Sequence, residues 1–153
     1  MAITASGLFV LTFKDLFDNS DLVLDWANDT VKCALFTNTI TPSFSADTAY
    51  GSAPYNANEV SGTGYSAGGA SLGSKTVTES PTGSLMFDAA DTAWTTSTFS
   101  SARGALIWDD TVTTPVADPV VCLVNFGADY GVTSGTFTIQ WAATGIFAID
   151  LTP

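Results

Sequence analysis

The run Asn58-Glu59-Val60-Ser61-Gly62-Thr63-Gly64-Tyr65-Ser66-Ala67-Gly68-Gly69-Ala70-Ser71-Leu72 constrains this chain more than any other stretch. Glycine reaches positive φ without steric cost, so glycines this dense build irregular, tightly turned backbone. The run then gives way to Ala70, Leu72 and the alternating Lys75-Thr76-Val77-Thr78, which reads as a strand. One aromatic and no base–nucleophile pair lie within it. Such an arrangement suits a loop that shapes a surface.

Around that loop the chain reads as strands. The pattern predicts them over 31–37, 70–78, 84–89, 102–108, 120–126, 136–141 and 146–151, separated by breaks rich in Gly, Asp, Pro and Ser. In 31–37 both alternating sets, Cys33 with Leu35 and Ala34 with Phe36, are apolar, which predicts a central strand. Phe137, Ile139 and Trp141 alternate with Thr136, Thr138 and Gln140, the signature of one buried and one solvated face. The 23 Thr and 15 Ser agree, since Thr favours strands and Ser favours turns.

One segment breaks this period. Residues 7–19 place Leu8, Leu11, Phe13, Leu16 and Phe17 at intervals of three or four, which predicts a short amphipathic helix with Ser6 as N-cap and Asn19-Ser20 as stop. Residues 39–69 form one long loop region carrying Tyr50, Tyr55 and Tyr65, with room for a short ordered piece near Ala46 to Tyr50. With 153 residues and no linker or repeat, the expectation is an all-β (β-rich) single domain over 1–153, a β-sandwich of jelly-roll or Greek-key type with a short N-terminal helix.

The chemistry is limited. Histidine is absent, which removes the commonest general base and metal ligand. Asp88, Asp91, Asp109 and Asp110 sit at turns or strand ends, where Asp hydrogen-bonds its own backbone. No EF-hand spacing is present, and two cysteines without histidine supply too few soft ligands for a metal. Cys33 and Cys122 read as buried, reduced thiols. Lys75 falls one place late for a P-loop, and Gly62-Thr63-Gly64-Tyr65-Ser66-Ala67 lacks the strand–helix context of a dinucleotide fingerprint. No catalytic, cofactor or metal residue is therefore expected.

Fifteen acidic against four basic residues leave a formal charge of −11, and Lys14, Lys32, Lys75 and Arg103 do not cluster. Nucleic-acid binding needs concentrated cations, so none is expected. No apolar run approaches a membrane span of about 20 residues. The start lacks a secretory pattern, which predicts synthesis in a cytoplasm.

Four segments in order, NEVSGTGYSAGG (58–69), SLGSKTVT (71–78), MFDAADTAWTTSTFSSARGALIW (86–108) and VNFGADYGVTSGTFTIQWAATGIFAI (124–149), resemble a family of small structural proteins of tailed bacteriophages. The family is described as capsid decoration (cement) proteins or virion structural proteins. The resemblance covers most of the chain and carries no residue-level site. It implies a virion component on the outer capsid surface, made in the bacterial cytoplasm, with the major capsid protein lattice as partner. It also implies a homo-oligomer, a dimer or trimer. A tail or fibre component touching host glycans or a receptor is the alternative, and a hydrolase of envelope polymers a third reading. The contact surface is expected in loop 51–69 and the N-terminal segment, at Leu8, Phe9, Tyr50, Tyr55 and Tyr65.

Overall fold

The computed structural model describes residues 2–18, 21–79 and 83–152. The fold is β-rich with one short N-terminal helix. In chain order the elements are β1 (Gly7–Leu8), α1 (Val10–Phe17), β2 (Val31–Phe36), β3 (Ala70–Ser71), β4 (Thr76–Glu79), β5 (Ser84–Asp88), β6 (Thr92–Asp109), β7 (Val120–Ile139) and β8 (Phe147–Asp150). They form a five-stranded sheet, β1-β7-β6-β2-β3, and a three-stranded sheet, β4-β5-β8. All pairings are antiparallel and neither sheet closes on itself.

Strand β2 is central, as its two-sided apolar pattern predicts. Val31, Cys33 and Leu35 point into one hydrophobic cluster with Ala105, Ile107 and Trp94. Ala34 and Phe36 point the other way, into a second cluster with Leu106, Trp108, Val120 and Leu123. The period-2 alternation of a strand produces this division. Both sides exclude water, so truncating a fully buried ring such as Phe36 to Ala would cost about 3–5 kcal/mol.

Four expected strands are corrected. The strand expected over 70–78 is split, because Gly73 and Ser74, the latter at φ +49°, turn the chain from one sheet to the other. The strands expected over 120–126 and 136–141 are parts of one long β7, and that expected over 102–108 extends back to Thr92. Register shifts along the β6–β7 pair, with Thr96, Ser101, Gly127 and Ser134 at positive φ, let long strands bend without losing each other. The turn-like residues that suggested breaks are bulges.

The helix is shorter than expected. Ser6 is not its N-cap: Ser6 Oγ accepts from Asn125 N at 2.8 Å, and Gly7–Leu8 pair with β7 instead. Val10 N, in the first turn, donates to Phe44 O at 2.8 Å, so a tertiary carbonyl replaces the cap. The expected stop at Asn19-Ser20 lies outside the described residues. Residues 39–69 carry no strand longer than a single bridge, and near Ala46 to Tyr50 the order consists of a turn, with Ala46 N and Asp47 N on Ser43 O, and the bridge between Ala49 and Pro119.

Candidate contact surface

The glycine-rich loop runs along the edge of the five-stranded sheet, bridged to β2 at Glu59–Phe36 and to β6 at Thr63–Thr98. A Cβ added at Gly69 would stand 1.8 Å from Cys33 O, and one at Gly62 would stand 2.2 Å from Thr98 O. Only a residue without a side chain allows the loop backbone to approach β2 and β6 this closely.

Glu59 organises the loop. Its Oε2 accepts from the Tyr50 hydroxyl at 2.7 Å. Its Oε1 accepts from the Tyr65 hydroxyl at 2.7 Å and from Gly68 N at 2.8 Å. The Tyr65 oxygen also accepts from Leu35 N at 2.8 Å, tying the network to β2. Burial, reinforced by the adjoining Glu59 carboxylate, pushes both phenols well above the usual tyrosine range. The Tyr50 ring stacks on Trp108 at 4.1 Å, and Trp108 Nε1 donates to Gly68 O at 3.2 Å. Lys32 Nζ lies 5.3 Å from the centre of the Trp108 ring and pairs with Asp110 at 2.9 Å.

The five expected contact residues therefore fall in different places. Tyr50 and Tyr65 come together on Glu59, half-buried. Phe9 and Tyr55 are interior: Phe9 meets Tyr55 edge-on at 5.9 Å, and Tyr55 meets Phe36 at 5.4 Å. Both hold the loop against the sheet and present no ring to solvent. The Tyr55 hydroxyl is pushed up by burial and by the nearby Asp47 carboxylate. Leu8 is half-buried and belongs to the cluster on the other face.

Leu8 also lines an apolar groove whose rim is exposed. Phe17 is 84% exposed, Leu151 64% and Val10 56%. They border a groove of about 620 Å³ between α1 and the three-stranded sheet. The 3–4 spacing of Val10, Phe13 and Phe17 was the available signal, although by itself it could not show that Phe17 stays uncovered. Glu59 was also missed. Its signal was being the one carboxylate between Asp47 and Glu79, in a loop with several tyrosines.

The carboxylates of Asp88, Asp91 and Asp109 accept from backbone N–H groups, near and far in sequence. Asp88 Oδ1 accepts from Ala89 N, and Asp91 Oδ1 accepts from Trp141 N. Asp109 is 1% exposed, and its Oδ1 accepts from Thr111 N at 2.8 Å and Val112 N at 3.2 Å. Burial, opposed by those two bonds and helped by the neighbouring Asp29, pushes its carboxyl up to about 6. Among the described residues no group of three or more His, Cys, Asp or Glu could hold a metal ion, and no helix is long and apolar enough to cross a membrane.

Comparison with known proteins adds no relative: no family model, curated protein or solved structure matches the chain.

Proposed function

We propose that this chain is a structural component of a tailed-bacteriophage virion, a decoration (cement) protein that binds the outer capsid surface and stabilises the shell. What supports the reading is the resemblance of an ordered series of segments, from the glycine-rich loop at 58–69 to the last strand, to that family. The physical character of the molecule supports it. A loop locked by Glu59 gives a fixed shape, and an apolar groove gives a place for contact. The acidic balance keeps such a protein off packaged DNA. The same proposal includes a jelly-roll or Greek-key sandwich, a dimer or trimer on the lattice, and the absence of catalysis. Many weak contacts on a repeating shell add by avidity, and binding to the assembled state stabilises it by mass action.

The test is addition of the purified protein to phage shells that lack it. The expected result is cosedimentation and a higher temperature of shell disruption. Absence from the pelleted shells sinks the reading.

A second reading, a tail or fibre component that contacts host glycans, is favoured by one feature. Phe126, Tyr130 and Phe137 line a shallow concavity of about 280 Å³ beside β7, and aromatic faces suit sugar rings. Gold label on tails instead of heads, with binding on a glycan array, would select it.

A further inference from the structure

One peptide bond in this chain joins Asp to Pro. The other prolines follow Thr, Ala or Ser, and Pro119 alone follows an aspartate, Asp118. Such a bond carries its own nucleophile. The side-chain carboxyl stands on the same residue as the carbonyl it attacks, so no encounter is needed. The proline nitrogen has no hydrogen and two alkyl carbons, and it takes up a proton on leaving more readily than an ordinary amide nitrogen.

The fold sets this bond at the end of the connection between β6 and β7. Thr113, Thr114, Pro115 and Ala117 are exposed there and Asp118 is half-buried, so water reaches the Asp118 side of the bond. The Asp118 carbonyl oxygen accepts from Tyr50 N at 2.9 Å, a donor placed where negative charge gathers during attack. Asp118 holds φ at +54°, a strained setting for a residue with a side chain, and scission releases it. Burial, reinforced by the Asp110 charge and opposed by Lys32, raises the Asp118 carboxyl. The proton that the leaving nitrogen needs is therefore held to higher pH than in the unfolded chain.

The same contacts hold the two sides together. Asp118 N donates to Val112 O at 3.0 Å, and Pro119 O accepts from Asp109 N at 3.0 Å, so each new end is tied down. Beyond the bond, β7 pairs with β6 and β1, and β8 pairs with β5. Val120, Val121 and Leu123 are buried in the two clusters on either side of β2.

We propose that Asp118–Pro119 is a self-scission site, at which the folded protein cuts itself in mild acid into segments 1–118 and 119–153 that stay assembled. An Asp118 carboxyl oxygen bonds to the carbonyl carbon of its own residue, and the carbon–nitrogen bond to Pro119 breaks. The carboxyl proton passes to the proline nitrogen, which leaves as a secondary amine. The cyclic anhydride left on Asp118 takes up one water and opens to two carboxyl groups. This holds whether or not the protein belongs to a virion.

The test follows the full chain folded, at the lowest pH at which near-UV circular dichroism keeps its native form, and unfolded in urea at that pH. The expected result is two bands on a denaturing gel, with Pro119 as the new N-terminal residue by sequencing. Gel filtration at neutral pH should show one particle of unchanged size. The folded protein should cut at least as fast as the unfolded chain. Asp118→Asn, which lacks the carboxyl, and Asp118→Glu, whose carboxyl must close a larger ring, should each slow the cut at least about tenfold. Near-UV circular dichroism checks that both variants keep the native packing. Five outcomes overturn the proposal: no cut, a cut elsewhere, an equal rate in the two variants and the wild type, scission confined to the urea sample, or segments that part at neutral pH.

Discussion

The Tyr65 hydroxyl donates to Glu59 Oε1 at 2.7 Å while accepting from Leu35 N, so a single phenol joins the long loop to the central strand. Removal of this link is measurable.

Glu59→Gln should destabilise the fold by about 1–3 kcal/mol. The carboxylate accepts from two phenols and one backbone N–H. An amide offers one accepting oxygen and turns an NH₂ group towards a donor. Urea unfolding followed by tryptophan fluorescence checks this, and an unchanged midpoint would mean the network adds nothing. Tyr65→Phe should cost about 1–2 kcal/mol by orphaning Leu35 N.

Two glycines should respond oppositely to alanine. Gly69→Ala places a Cβ on Cys33 O at φ +77° and should cost about 3 kcal/mol or more, or prevent folding. Gly73 has open space around its Cβ direction and no positive φ, so Gly73→Ala should be neutral or stabilising by about 0.4–1 kcal/mol. Thermal melting of the pair tests the close approach of loop to sheet.

Asp109 sets a pH dependence. Its carboxyl is raised in the fold from 3.8 to about 6, so the folded state holds its proton more tightly than the unfolded chain does. The stability this adds is fully present below pH 3.8 and is lost as pH rises through about 6. Asp109→Asn keeps an acceptor for Thr111 N and Val112 N and carries no charge. The variant should therefore gain on the wild type by about 1–3 kcal/mol between pH 4 and pH 8. Parallel stability curves for the two proteins would refute the assignment.

Cys33 and Cys122 should never form a disulfide in the native state. Both pair with Ile107, from opposite sides of β6, which sets them two strand spacings apart, about 9–10 Å against a limit near 7 Å. Burial pushes both thiols well up, so a thiol reagent should label them only at the rate of unfolding. Fast labelling, or a native intramolecular bridge after mild oxidation, would contradict the strand order.

The local patterns were legible. Two apolar sets in Val31–Phe36 placed a strand between neighbours, and Phe137 and Ile139 marked the inward side of β7. The breaks were less so. Gly127 and Ser134 look like turn residues in the sequence, yet each adopts positive φ inside a continuous strand. Whether such a residue ends a strand or bulges it depends on a partner strand far along the chain. The candidate site was least legible. Phe9 and Phe17 lie on one short segment with similar neighbours, but Phe9 is fully buried and Phe17 largely exposed.

From its residues alone this chain was committed to a β-rich fold, an acidic surface and chemistry without histidine, because alternation, charge and residue type act locally and need no knowledge of what lies opposite. The tertiary structure decided how far strands run, which tyrosines are anchors, and where an apolar face stays open. Each of those depends on contacts between distant segments, such as Asn125 N on Ser6 Oγ across 119 positions, and only the folded arrangement brings such groups within reach.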